Sequence, residues 1–316
     1  MKPLRGFTTK KVGECFVSFS ENNYLCGRLN YKLTNKMRKL FFLLLSATLA
    51  ACSSQDGEDN VFNEKNTEVT LTFSPYTMEP LTRAATSIAS LVSRLDVWLD
   101  DGTEVTALHQ SSSDEGFGTV SITLNKTKTY TLTAVAHKAA GEATLTDGIV
   151  AFPDEKVTHA MVYRTTFSPA TTTSINAEMQ RIVGQLRFEI ADEVPASVYT
   201  MKFDFGNSFT RWNVATATAT NATERISQFS NFSRANDGTA AFTFYLMPTN
   251  LTDTDEMDIT VTAFAQNGST IKSRTFQTVP IKAGYKTTYH GQFFTDQPVN
   301  SNFLVDDWAS FSTVQY

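Results

Sequence analysis

The sequence predicts an all-β protein, two successive β domains behind a cleavable leader. Three observations predict it. Apolar and polar residues alternate with a period of two in segment after segment from Thr67 onward. No stretch there sustains a helical period over three turns. About 250 residues lie beyond the leader and its tether, enough for two separate cores.

Residues 1–36 carry seven Lys or Arg, two acids, Cys15 and Cys26, and read as an overcalled start. Met37 is the expected true first residue, and 1–36 are not expected in the mature protein. Residues 37–51 are a signal peptide: Arg38 and Lys39 precede twelve mostly apolar residues, Leu40 to Ala51, too few to span a bilayer as a stable helix. The small pair Ala50-Ala51 followed by Cys52 is a lipobox. Cys52 is thus the predicted lipidation site and first residue of the mature protein, and two or more acyl chains give durable attachment at roughly 0.8 kcal/mol per buried methylene. The rival reading, a buried helix ending in an ordinary thiol, is disfavoured by the flanking cations. Residues 52–66 begin with Ser53-Ser54-Gln55-Asp56-Gly57-Glu58-Asp59-Asn60, which has nothing apolar to bury and reads as a flexible acidic tether.

The first domain is expected over 67–178. Val69, Leu71 and Phe73 alternate with Thr70 and Thr72, the pattern of a half-buried strand. Leu95, Val97 and Leu99 repeat it and end at Asp101-Gly102, a hairpin signal. Trp98 then falls opposite the core-facing residues, under a loop or against a partner. Val120, Ile122 and Leu124 lead through Asn125-Lys126 into the run 130–136, a second hairpin. Residues 157–167 give a later strand, and 168–174 a connection.

The second domain is expected over 179–316, where the pattern restarts. Leu186, Phe188 and Ile190 face in while Gln185, Arg187 and Glu189 face out. Tyr199, Met201, Phe203 and Phe205 mark the next strand, followed by Phe242, Phe244 and Leu246, then Ile259, Val261 and Ala263. Residues 207–236, dense in Thr, Ala, Asn and Ser, read as long surface loops. Ser310 to Tyr316 alternates in type and either pairs within its own domain or donates a strand.

Beyond Cys52 the chain carries 18 Lys or Arg against 30 Asp or Glu, a net charge of about −12 compared with −5 for the full sequence. With no basic cluster, neither nucleic acid nor an anionic lipid surface is an expected partner. Cys52 is the only cysteine of the mature part, which leaves no intramolecular disulfide and no thiolate metal site. His109, His137, His159 and His290 sit in separate segments without metal-ligand spacing, and phosphate-loop, nucleophile-elbow and dinucleotide patterns are missing. The run Asp253, Asp255, Glu256 and Asp258 lacks the spacing of a calcium loop and reads as solvated acids. No catalytic residue, cofactor or metal ligand is therefore assigned.

The order of features, a lipobox, an acidic tether, a β domain and a restart at Gln180-Arg181-Ile182-Val183-Gly184-Gln185-Leu186-Arg187-Phe188, resembles the Bacteroidales fimbrillin-like proteins. The stretch from Val279 to Phe294 is similar to that family's late strand pair, and Asn302 to Trp308 to its closing segment. Arg94-Leu95-Asp96-Val97-Trp98-Leu99 is most similar to the fimbrial anchor and minor-subunit branch. The resemblance implies two tandem transthyretin-like β-sandwiches and a place in pili assembled by strand exchange, with fimbrial subunits as partners. It also implies that shaft subunits are activated when an Arg-specific protease removes the first strand. Arg83, the only Arg between the strand at Val69 to Phe73 and the one at Leu91 to Leu99, marks where such a cut would fall. A solvated loop cation is the rival reading. Cut there, the protein loses Cys52 and its lipid and is a shaft or tip subunit; uncut, it is an anchor. Acidic residues directly after the lipidated cysteine resemble the surface-export signal of Bacteroidetes lipoproteins, which implies a lipid-anchored protein on the cell outer membrane and in the fimbrium.

The expected function is a non-enzymatic anchor or minor structural subunit that binds pilin subunits by β-strand complementation, with a host or bacterial surface ligand as a further partner. The rivals are a surface glycan-binding lipoprotein using Trp98, Trp212 and Trp308 as a stacking platform, and a tip adhesin.

Overall fold

A computed structural model describes residues 65–76, 87–295 and 303–307. Strands account for the regular structure; among the described residues there is no α-helix, only two short 3-10 turns. The first half contributes β1 (Asn66–Pro75), β2 (Arg94–Asp100), β3 (Val105–Ser111), β4 (Thr119–Asn125) and β5 (Tyr130–His137), then a small hairpin of β6 (Thr144–Thr146) and β7 (Ile149–Ala151), and finally β8 (Ala160–Phe167) and β9 (Ser174–Arg181). Its sheet runs β3-β2-β5-β8-β9-β1-β4 and folds over at β8 and β9, which share only two residue pairs, Met161 with Arg181 and Val162 with Gln180. The inward residues Val69, Leu71 and Phe73 of β1 meet Leu95, Val97 and Leu99 of β2 and Leu132 and Met161 in one buried cluster. Alternation in the sequence thus marks the face each strand turns to this core, although β2 and β5 are buried on both faces.

The second half comprises β10 (Gly184–Ile190), β11 (Val198–Asn213), β12 (Thr218–Ser230), β13 (Ala240–Leu246), β14 (Thr254–Ala265), β15 (Thr270–Lys282), β16 (Tyr285–Gly291) and β17 (Phe303–Asp307). One sheet is ordered β13-β10-β16-β17; the other carries β15-β14-β11, with β12 also on β11. Aromatic rings fill the space between them. Phe188 stacks on Tyr289 at 4.3 Å and meets Phe276 and Phe203 edge-on at 5.0 and 5.5 Å, geometries worth about 0.5–1.5 kcal/mol each beyond area burial. Gly184 is demanded at the start of β10, because a Cβ there would come within 2.7 Å of the Lys282 carbonyl oxygen.

The two halves repeat one topology. β1 pairs antiparallel with β4 and parallel with β9; β10 pairs antiparallel with β13 and parallel with β16. The opposing sheets correspond as well, β3-β2-β5-β8 in the first half and β12-β11-β14-β15 in the second. What the repeat does not account for is the β6–β7 hairpin and β17. The hairpin turns at Asp147 (φ 50°) and Gly148 (φ 76°), the positive pair a two-residue turn of primed type needs. It leaves the first half and adds to the second, with β7 pairing β11 at Arg211, Trp212 and Asn213. A third apolar cluster fills this junction, built from Trp98, Val150, Phe152, Ile182 and Trp212.

Several expectations change. Residues 207–236 are not long loops: most belong to the β11–β12 hairpin, whose polar composition reflects an edge strand with few buried positions. Ser174, expected in a connection, opens β9. The late strands β15 and β16 follow one another but lie in different sheets, because the chain crosses the sandwich at Ala283-Gly284.

Candidate functional site

β1 is the first strand of the described chain, and it sits inside a sheet rather than at an edge. Seven residue pairs join it to β4 and six to β9. Val69, Leu71 and Phe73 are 0, 0 and 3 % exposed, whereas Thr70 and Thr72 point outward. The strand therefore plugs a slot that is apolar on its inner side and lined by backbone donors and acceptors on both flanks. Taking β1 out leaves unpaired ladder groups on β4 and β9 and uncovers the core. The last described strand, β17, pairs at the edge of its sheet with β16 from Tyr285–Asp307 to Tyr289–Phe303, with Leu304 60 % and Val305 40 % exposed.

The predicted lipidation site Cys52, the predicted cleavage site Arg83, Trp308 and the segment 310–316 lie outside the described residues. The other two tryptophans are buried at 5 and 1 %, both in the junction cluster. Trp98 does face away from its own domain's core, and the cover is the β6–β7 hairpin. The acidic run is spent locally: Asp255 accepts from the amide and hydroxyl of Thr249, Asp253 from the Asn250 amide nitrogen, and Asp258 from the Thr278 amide. Among the described residues no group of three His, Cys, Asp or Glu is placed to hold a metal ion.

Two histidines are structural. His159 donates from Nδ1 to the Leu91 carbonyl (3.1 Å), accepts at Nε2 from Arg181 Nε (3.1 Å) and stacks on Tyr245 at 5.7 Å. Burial, then the neighbouring Arg181 charge, lowers its pKa to about 4. His137 accepts the Ala139 amide at Nδ1 (3.1 Å), so Nε2 bears a proton and donates to Asp96 Oδ2 at 2.8 Å. The fully buried Asp96 also accepts the Ala143 amide (2.9 Å) and, at Oδ1, His109 Nδ1 (2.7 Å). Burial pushes the Asp96 carboxyl up, but these three hydrogen bonds outweigh it and hold its pKa below the ordinary value. His290 is exposed and pairs with Glu189 (3.0 Å). Sequence reading missed the Asp96 cluster; its one available signal was the period of two that puts Asp96 beside Trp98, opposite the core.

A cavity of about 330 Å³ lies beside β11, lined among others by Ser208, Phe209, Met247, Asp255 and Met257.

A family model described as "Family of unknown function (DUF6562)" matches residues 59–309. No curated protein matches the chain. Among solved structures, a candidate cell adhesion protein from Bacteroides ovatus is 14 % identical, with a TM-score of 0.47 over 77 % of this chain and 98 % of that one. A fimbrial assembly protein from Parabacteroides distasonis is 11 % identical, with a TM-score of 0.42 over 76 and 99 %. A candidate polysaccharide-binding protein from Bacteroides thetaiotaomicron is 11 % identical, with a TM-score of 0.46 over 76 and 96 %. Likenesses of that depth leave function to be argued from the residues.

Proposed function

We propose, for a chain that belongs to the family of unknown function DUF6562, a non-enzymatic role at the cell surface: a lipid-held anchor or minor subunit of fimbriae that contacts neighbouring subunits through β-strand complementation. The observation that carries the reading is the placement of β1. A strand directly downstream of the predicted lipidated tether fills an interior slot of the first sheet, and the only Arg of the connection that follows it is Arg83. Strand and slot are complementary in the two ways that exchange requires, backbone pairing on both flanks and alternate apolar side chains beneath. In the anchor form β1 stays in its own slot, Cys52 keeps its lipid, and the contact to the fibre is made elsewhere, for which the edge strand β17 with its exposed Leu304 and Val305 is suited.

The glycan-platform alternative loses two of its three tryptophans, since Trp98 and Trp212 are packed in the junction and present no ring face to a sugar.

The test is Cys52→Ala in cells, comparing fimbrial antigen sheared into the medium with antigen retained. Release of intact, longer fibres supports an anchor that fixes and terminates the fibre. Fibres unchanged, with only this protein lost from the surface, overturn the anchor role. The mass of the mature protein settles the rest: a chain beginning at Cys52 is the anchor form, and one beginning at Ala84 is a shaft or tip form.

A further inference from the structure

One flank of β11 is shared by two strands. β14 pairs with it from Val198 to Asp204, and β7 from Arg211 to Asn213. Among the described residues no strand covers that flank over 205–210, nor the facing flank of β14 over 254–259, so the sheet forks there. The cavity of about 330 Å³ opens in this fork, with Asn207, Ser208 and Phe209 on one arm and Asp255, Glu256 and Met257 on the other.

A bulge decides what faces it. The register of β11 on β12 shifts between Asp204 and Asn207, and the buried positions move from Met201, Phe203 and Phe205 to Ser208, Thr210 and Trp212. Ser208 thus takes an inward place. It is 4 % exposed, and its Oγ has no hydrogen-bond partner among the described residues, whereas buried polar groups are as a rule hydrogen-bonded. Asp255 has the parity of the buried Ile259 and Val261, so it too turns inward, half-buried. Its Oδ2 accepts the amide and hydroxyl of Thr249 at 2.7 and 2.8 Å, both uncharged donors, and Oδ1 is left to accept another. Leu246, Met247, Met257 and Ile281 supply an apolar wall, and the lining holds no Lys, Arg or His.

An apolar wall, an unpartnered hydroxyl and a carboxylate without a countercharge match a positively charged N–H donor on an aliphatic stem. Charge-assisted hydrogen bonds are roughly twice as strong as neutral ones. The volume is at the lower end of ligand pockets, about 300–1,000 Å³, and suits a compact ammonium better than a planar guanidinium fork.

We propose that this cavity binds a primary alkylammonium group, its stem against Met247, Met257 and Ile281 and its charged end donating to Asp255 Oδ1 and Ser208 Oγ. The group arrives either as a free aliphatic amine or on a lysine side chain of a partner.

The experiment is calorimetric titration of the full-length chain at neutral pH with n-pentylamine, with Nα-acetyl-lysine methylamide and, as the uncharged control, with 1-pentanol. One saturable amine site is expected, with 1-pentanol about tenfold weaker or worse and Ser208→Ala and Asp255→Asn each weakening amine binding by about tenfold. Glu115→Gln, which removes an exposed acid of the first half, should leave binding unchanged. Ser208→Ala breaks no hydrogen bond, so it keeps the test sound if Asp255→Asn disturbs the Thr249 loop, and circular dichroism checks both. Binding of the lysine derivative assigns the site to a side chain that a partner carries, and binding of pentylamine alone assigns it to free amines. The proposal is overturned if neither amine saturates up to about 10 mM, if 1-pentanol binds as tightly as pentylamine, if either cavity variant binds like wild type, or if Glu115→Gln loses the site.

Discussion

Leu71→Ala and Leu186→Ala are the same truncation in corresponding strands, and they separate release of β1 from general loss of stability. Both side chains are fully buried in the interior opening strand of a half. Each truncation removes the transfer free energy of a buried leucine and leaves a cavity, about 3 kcal/mol on the scale of such changes. β1 is held by three inward side chains worth about 6 kcal/mol together, plus its two ladders. Leu71→Ala takes about half of that side-chain term and should raise the population with β1 out by about 10²-fold, a factor of ten per roughly 1.4 kcal/mol. Leu186→Ala acts on a strand covalently continued on both sides within the fold, and should leave that population nearly unchanged. Urea denaturation checks that the two cost the same globally. Amide hydrogen exchange of residues 66–75, read by mass spectrometry, measures release. Equal exchange there in both variants, or none above wild type in Leu71→Ala, refutes the idea that β1 leaves separately.

Two further outcomes follow from the geometry. With a folded pKa of about 4 against 6.5, His159 takes its proton first in the unfolded chain, so its contribution is complete above pH 6.5 and lost as the pH falls toward 4. The loss amounts to about 3 kcal/mol, and His159→Gln should flatten that part of the urea midpoint against pH; an equally steep profile in the variant counts against it. Asp192 accepts the amides of Phe293, Phe294 and Thr295 at 2.7, 2.7 and 2.8 Å. Asp192→Ala should destabilise by about 2–4 kcal/mol and speed amide exchange at 293–295, while leaving β1 as protected as before.

Strands that border a core were legible and the others were not. Leu186 to Ile190 alternate because one face is buried and the other half-exposed, and Leu95 to Leu99 alternate because one face meets the domain core while Asp96 and Trp98 on the other meet the histidines and the junction, so a period of two survives in the residue types. β12 is an edge strand with little beneath it, so its Thr, Asn and Ser carry no such period and read as loop. β9 does alternate in burial, yet its inner positions are Ile175, Ala177, Met179 and Arg181, too mixed for an apolar stripe to show. Trp98 was correctly placed opposite the core, but that the β6–β7 hairpin covers it depends on a pairing with β11 some sixty residues further along the chain. Ser208 and Asp255 likewise line one cavity only through the fold, and no local spacing announces them.

The direction in which β1 is held bears on mechanics. A lipid tether attached at Cys52 would transmit any tug on a bound fibre to Asn66, the end at which β1 enters its slot. A pull along the strand axis shears the seven residue pairs with β4 and the six with β9 together, where a sideways pull would unzip them one after another. An anchor built this way resists axial tension with the whole length of its first strand, and yields most readily to a force that peels.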